Sequence, residues 1–294
     1  MNAAARALLG LLWLLHWLPF PALVALGRGL GLLMLPLARS RRRVAQRNLA
    51  LCFPELDDRA RQALLREHFA LLGRSLLERA WLWHASEARI RRRIHIEGDI
   101  HLPETSAQPV MWLAPHFLAL EVTGAAVQLF QTRPVANIYA AQSQPLLDAA
   151  LLAGRERFGR ALMFKRQDSA LPVVRAIKRG AAFLNMPDMD FGLRDAAFVP
   201  FFGVPASTLL APSRMAGSLG MLVQPVTVQM LPGGQGYRLR FHAPWTDWPS
   251  ADAEADARRM NAWIEAAIRE MPAQYLWVHK RFKTRPPGEP SLYD

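Results

Sequence analysis

Two ionisable residues, His116 and Glu121, stand in an otherwise apolar stretch, VMWLAPHFLALEVT (110–123). A polar group in apolar surroundings is costly unless it is paired, so their presence calls for a reason. On a continuous helix, residues five apart diverge by roughly 140° around the axis. The two can meet if His116 occupies the turn after a strand and Glu121 the first turn of the helix that follows. That sets a neutral imidazole beside a carboxylate, and a histidine with an orienting acid is a general base. The expectation is His116 as base and Glu121 as its acid. The plainer alternative is a packed histidine and a solvated carboxylate.

Other polar residues sit in apolar or turn settings further on: Arg155 and Arg157, Arg166 within KRQD (165–168), and Asp188 and Asp190 within PDMDFG (187–192). The two aspartates follow the apolar run AAFLNM directly, and could equally be self-capping turn residues. Several other chemistries lack their residues. The chain has no GxSxG nucleophile elbow, no HExxH, no GxxxxGK[ST] and no GxGxxG. Its one cysteine, Cys52, rules out an internal disulfide and a Cys-rich zinc site. Cys52 reads as a small buried hydrophobe. The histidines are scattered, and no metal site is expected.

The elements that must position these residues begin at Val110. Strand-like runs at 110–114, 135–141, 161–164, 181–186, 222–230 and 236–242 alternate with helical stretches at 117–130, 144–158, 169–179, 208–217 and 251–271. This alternation predicts an α/β fold with a mixed, largely parallel central sheet flanked by helices. Pro232-Gly233-Gly234 reads as a hairpin turn. Ligands gather at the carboxyl ends of parallel strands. If the strands at 110–114, 161–164 and 181–186 are parallel, one edge collects His116, Glu121, Arg166, Asp188 and Asp190.

Upstream, Val44 to Ala88 reads as helix, broken at Pro54 and restarted at Asp57-Asp58, where acids suit a helix N-terminus. Ala7 to Gly27 carries no charge over a length sufficient for a bilayer core. His16 and the Pro19-Phe20-Pro21 break weaken it as one helix, while Trp13, Trp17 and Phe20 suit a membrane interface. Arg28, Arg39 and Arg41 to Arg43 follow the run, against Arg6 before it, so the positive-inside rule places the rest in the cytoplasm. The organisation expected is an N-terminal helical membrane anchor with a basic flank over 1–43, then one domain over 44–294. That domain has a helical lead-in to residue 93 and an α/β core over 94–294. A net charge of +12 over 294 residues calls for an anionic partner, and RIRRR (89–93) could meet lipid phosphates. No nucleic-acid-binding module is recognisable.

His116-x4-Glu121 is similar to the HX4(D/E) motif of glycerolipid and lipid A acyltransferases. RRRVAQRNLALCFPEL (41–56), PHFLALE (115–121), PDMDFG with FVPFFGVPA (187–206) and AQYLWVHKRFKTRPPGEPS (273–291) together resemble the late acyltransferases of lipid A assembly, the lauroyl/myristoyl transferase family. The resemblance runs from about residue 10 to the C-terminus. It implies a glycerolipid-acyltransferase-like fold with no bound cofactor. It also implies transfer of a fatty acyl chain from an acyl-carrier-protein thioester, the co-substrate, to a hydroxyacyl chain of a Kdo-bearing lipid A precursor. The place implied is the cytoplasmic face of a bacterial inner membrane, and the partners are acyl-carrier protein, the lipid A precursor and an anionic membrane surface. In the mechanism expected, Glu121 fixes the His116 tautomer and Arg157 or Arg166 serves the oxyanion. Arg155, Arg157, Arg166, Asp188 and Asp190 bind substrate. The segment VHKRFKTRPPGEP (278–290) would be a head-group or carrier contact, or else a basic surface tail. One rival, a glycerolipid acyltransferase using a lysophospholipid, is opposed by the absent FPEGTR-type block. The other is a non-enzymatic basic membrane-surface protein.

Overall fold

In the computed structural model the described residues are 2–293. Four helices come first: α1 (Asn2–Leu15), α2 (Phe20–Leu37), α3 (Arg39–Cys52) and α4 (Asp58–His84), with a short α5 (Glu87–Arg91) after them. The α/β part runs β1 (Ile94–Gly98), α6 (Leu102–Thr105), β2 (Val110–Leu113), α7 (Leu120–Leu129), β3 (Val135–Tyr139), α8 (Pro145–Glu156), β4 (Ala161–Lys165), α9 (Leu171–Lys178) and β5 (Ala182–Asn185). Then come β6 (Ala196–Phe201), β7 (Val204–Leu209), α10 (Ala211–Leu219), β8 (Leu222–Met230), β9 (Tyr237–Phe241) and α11 (Ala253–Glu270).

Seven strands form one sheet in the order β1-β9-β8-β2-β5-β3-β4. Every pairing is parallel except β8 with β9, so the sheet is mixed and largely parallel, as the alternation of elements predicts. β2 is buried at all four residues, as a strand covered on both faces should be. β6 and β7 pair only with each other, as an antiparallel ribbon. Sequence reading did not anticipate that ribbon, and it shortens the helix expected over 208–217: Thr208 and Leu209 belong to β7, and α10 starts at Ala211.

The uncharged run at 7–27 is not one helix. α1 ends at Leu15 and α2 starts at Phe20, because Pro19 and Pro21 cannot donate within a helix interior but are suited to a first turn. α2 is long and apolar enough to cross a bilayer. It lies lengthwise on α4, and its Phe20, Leu23 and Val24 join the same apolar cluster as the sheet. Glycines permit this approach: a Cβ on Gly31 would collide with the Phe69 carbonyl, and one on Gly73 with the Gly31 backbone. The opposite faces of α1 and α2 expose Leu8, Leu11, Trp13, Leu14, Leu26, Leu33 and Leu37, and Trp17 is exposed in the turn between the helices.

α4 is the brace of the molecule. The Asp57 side chain caps it by accepting from the Ala60 amide at 2.7 Å. Arg74, buried, donates to Glu78 at 2.6 Å and to the Leu231 carbonyl at 2.8 Å, fastening α4 to the β8–β9 hairpin. His68, fully buried, bonds through Nδ1 to the Ala273 carbonyl at 3.0 Å.

Two predictions follow from α4. Gly73→Ala overpacks the α2 contact and should cost about 1–3 kcal/mol, read as a lower melting temperature in detergent. Gly29→Ala on the open side of α2 should be neutral or stabilising by up to about 1 kcal/mol. Equal effects would refute the glycine-packed interface. Burial holds the His68 pKa down to about 4, so the unfolded chain takes up this proton first. The stability His68 contributes is complete above about pH 6.5 and is lost as pH falls through about 4, at a slope of up to about 1.4 kcal/mol per pH unit. His68→Gln should flatten unfolding free energy against pH in that window.

Candidate active site

The parallel register aligns Met111 with Phe183, Trp112 with Leu184 and Leu113 with Asn185. Counting three residues beyond the last pair on each strand gives His116 and Asp188. The strand register itself therefore sets the two side by side. Asp188 Oδ1 accepts from His116 Nδ1 at 2.7 Å, and Oδ2 accepts from the His116 backbone N–H at 2.9 Å. A carboxylate that only accepts fixes the proton on Nδ1, and Nε2 keeps its lone pair. The Asp188 side chain is 0% exposed and that of His116 19%, and His116 lines an open cleft. Burial alone would raise the Asp188 pKa. The charge on His116, its two hydrogen bonds and the hydroxyl of Tyr275 outweigh burial and hold the carboxyl below its ordinary value.

The expectation that Glu121 fixes the His116 tautomer is corrected. Glu121 lies in the first turn of α7 as anticipated, but its carboxylate is gripped by Arg155 of α8, through Nε at 3.1 Å and Nη2 at 2.5 Å. The physical reason is the apolar wall around it: Leu82, Trp83, Ala125, Val127, Met163 and Leu184 line the same pocket of about 650 Å³. A carboxylate there needs a fixed cation, and the bidentate guanidinium supplies it. Burial would raise the Glu121 pKa, and Arg155 reverses the sign and holds it low.

Arg157 is also elsewhere. It donates to the carbonyls of Leu82 and Ala85 at 2.6 and 2.8 Å, satisfying the C-terminus of α4, where a cation is favoured. The residues lining the His116 cleft do not include it. Arg166 does line that cleft, with its guanidinium 5.1 Å from the Phe191 ring centroid. Asp190 borders the cleft with both oxygens engaged. They accept from Thr284 N–H and Oγ1, each at 2.7 Å, and from Gly192 N–H at 3.0 Å. Its own N–H donates to His279 Nε2 at 3.2 Å, so Asp190 organises the loop it sits in.

Sequence reasoning read 278–290 as a head-group or carrier contact or a basic surface tail and singled out no residue of 273–291 for the site, whereas the structure sets several of them against it. Tyr275 bridges to Phe117 and sets its hydroxyl against Asp188. Leu118 N–H donates to the Gln274 carbonyl at 2.7 Å, and Leu276 N–H to the His116 carbonyl at 3.0 Å. Asn48 of α3 holds the segment in turn, donating to the carbonyls of Trp277 and His279 at 2.7 Å each. Burial, and next the charge of His116, hold the His279 pKa down to about 4, which keeps its Nε2 an acceptor. The available signal was a tyrosine, a histidine and a tryptophan packed into an otherwise basic stretch.

The cleft has a volume of about 1700 Å³, and its rim carries Arg166, Arg194 and Lys283. None of these three has a carboxylate within ion-pair distance among the described residues. Leu184 and Met186 line both the cleft and the apolar pocket, so the two spaces adjoin. Cys52 takes no part: it is 1% exposed and burial pushes its thiol well up.

A histidine–aspartate pair, an apolar pocket and a cationic rim meet at one sheet edge, and comparison with known proteins gives this arrangement a family. Residues 3–284 match the family model for bacterial lipid A biosynthesis acyltransferases. The lipid A biosynthesis lauroyltransferase of Escherichia coli is 34% identical over 288 residues, covering 97% of this chain and 93% of that protein. The palmitoleoyltransferase of the same organism is 35% identical, with 97% and 92% covered, and its myristoyltransferase 32% identical, with 93% and 83% covered. A 1-acyl-sn-glycerophosphate acyltransferase structure from Thermotoga maritima aligns at 14% identity and a TM-score of 0.39, over 81% of this chain and 98% of that one; so loose a likeness carries no argument. With the family model spanning nearly the whole chain, the protein belongs to the bacterial lipid A biosynthesis acyltransferases and is an acyltransferase.

Proposed function

We propose that this acyltransferase moves a fatty acyl chain from an acyl-carrier-protein thioester to a hydroxyacyl chain of a Kdo-bearing lipid A precursor, with His116 as general base and Asp188 as its orienting acid. The observation that carries this reading is the His116–Asp188 pair, with Nε2 free at the floor of a cation-rimmed cleft beside an apolar pocket. His116 Nε2 takes the proton of the acceptor hydroxyl as its oxygen attacks the thioester carbonyl carbon. The tetrahedral intermediate collapses by expelling the carrier thiolate, which recovers the proton from the imidazolium. The products are an acyl ester and a free carrier thiol.

The order of events follows from the nucleophiles available. No acyl-enzyme nucleophile is evident in the cleft, and Cys52 is buried with its thiol pushed up, which supports direct transfer with both substrates bound together. The developing oxyanion needs donors, each typically worth about 3–4 kcal/mol, and Arg166 is the cleft cation we assign to it. The apolar pocket suits the hydrocarbon chain, with the Glu121–Arg155 pair bracing α7 against α8 along its wall. Arg194 and Lys283 suit the anionic groups of the acceptor or of the acidic carrier. The exposed apolar faces of α1 and α2 suit association with the membrane that holds the acceptor.

Mass spectrometry of the acceptor after incubation with acyl-carrier-protein thioesters tests the reading. Wild type should add a single acyl mass. His116→Ala should abolish the gain in protein that still folds, with a melting temperature lowered by the loss of one donor to the buried Asp188 carboxylate. Asp188→Asn should lower kcat by about three to four orders of magnitude, as when the acid of a His–Asp pair is neutralised. An active, folded His116→Ala protein would sink the mechanism.

A further inference from the structure

A second cleft lies on the β1 side of the sheet, away from β5 and β3. It has a volume of about 820 Å³ and is lined by Pro19, Phe20, Pro21 and Trp81 with Arg89, Arg92 and Arg93, and no acidic side chain borders it. Arg93 immediately precedes β1, which starts at Ile94, and donates to the Gly234 carbonyl in the β8–β9 turn at 3.2 Å. β1 runs antiparallel to β2 and β5, so its start and the β8–β9 turn lie at the same sheet edge as His116 and Asp188. The cleft is nonetheless separate from the reaction site: β9 and β8 stand between β1 and β2, and the two clefts share no lining residue.

Its arginines are held rather than merely clustered. Arg89 donates to the carbonyls of His16 and Leu18 at 3.1 and 3.3 Å, which fixes it to the turn between α1 and α2. Arg93 also lies over the Phe20 ring, 5.4 Å from its centroid. Arg92 is exposed and has no side-chain hydrogen bond or ion pair among the described residues. Three cations thus face one recess with most of their donors unspent, a geometry that matches phosphate oxygens. The recess continues into an apolar surface. Trp17, 67% exposed, is two residues from Pro19, and Trp13, 50% exposed, is on the adjoining helix. Exposed tryptophans beside cations are the composition of a lipid–water interface.

We infer that this cleft binds the headgroup phosphate of an anionic membrane phospholipid, which fixes how α1 and α2 sit on the bilayer surface. The inference rests on the membrane association proposed above and adds a discrete lipid site to it. An acidic protein partner would leave the flanking tryptophans and leucines in water, whereas a bilayer covers them while Arg92 meets the phosphate.

The test is flotation of the purified full-length protein with phosphatidylcholine vesicles, with and without phosphatidylglycerol. Wild type should favour the anionic vesicles. Arg92→Gln should lose about fivefold of that preference, the worth of one basic residue near an anionic surface, and Arg92→Glu should lose more. Arg91→Gln, at a residue outside the cleft that pairs with Glu87 at 3.8 Å, should lose less than twofold. Equal losses at 91 and 92 would mean diffuse surface charge and overturn the site. Abolition of the preference by inorganic phosphate at matched ionic strength would make it a free-phosphate site and overturn the lipid assignment. Transfer in detergent micelles is measured on the same proteins: its absence in wild type would sink the proposed reaction while leaving the vesicle comparison decisive.

Discussion

The pairing of β2 with β5 is the constraint on which the rest depends. Two short, buried parallel strands in fixed register bring the third residue beyond each into contact, and those residues are His116 and Asp188. A one-residue slip of either strand would turn its side chains to the opposite face and separate the pair. The same register delivers a full negative charge to a site without solvent. Leaving it uncompensated would cost several kcal/mol, so the carboxylate collects two donors from His116 and faces the Tyr275 hydroxyl. The hydrogen bonds that orient the imidazole are the ones that make the buried aspartate tolerable.

That dependence extends outward through the C-terminal segment. Residues 274–276 are hydrogen-bonded to the loop carrying His116, and the carbonyls that flank them are held by His68 of α4, at Ala273, and by Asn48 of α3, at Trp277 and His279. The N-terminal helices therefore support the site as well as offering an apolar surface. This accounts for a basic, helical stretch such as RRRVAQRNLALCFPEL in a protein whose chemistry lies more than sixty residues later: its Asn48 is 1% exposed and holds the Trp277 and His279 carbonyls, while Arg41 and Arg47 reach the carbonyls of Val278 and Leu292.

The sheet was legible in the sequence because its strands are short apolar runs that alternate with helical stretches. The edge that gathers His116, Arg166, Asp188 and Asp190 followed from the parallel arrangement. The pairings along that edge were not legible. Five residues separate His116 from Glu121 and seventy-two separate it from Asp188, so local spacing favoured the nearer acid. What sends Glu121 to Arg155 is the shape of an apolar pocket built from α4, α7 and α8, which no periodicity encodes. Arg157 was misread for a related reason: its partners are backbone carbonyls at a helix end, and carbonyls carry no sequence signature. The β6–β7 ribbon was missed because FVPFFGVPA offers little of the alternation by which half-buried strands are read, with β6 bearing Pro200 and β7 Pro205, paired with each other.

The uncharged N-terminal run illustrates how composition and packing make different demands on one segment. Hydropathy alone allows α2 to cross a bilayer, and the arginines after it orient such a crossing. The glycine contacts require something else, because Gly27 and Gly31 fit only against the backbone of α4, and α4 carries Arg66, Glu67, Arg74 and Glu78 along its length. Arg28 of α2 is itself paired with Glu67 by two hydrogen bonds of 2.8 and 2.7 Å. A crossing α2 would have to give up these contacts or draw α4's charges into hydrocarbon, at several kcal/mol for each unpaired group. Held to α4, α2 can still present Leu26, Leu33 and Leu37 to lipid along its whole outer face. Basic residues then lie near both ends of α2, Arg39 to Arg43 after its last turn and Arg89 and Arg93 at its start, as suits a helix lying along a surface rather than one oriented across it.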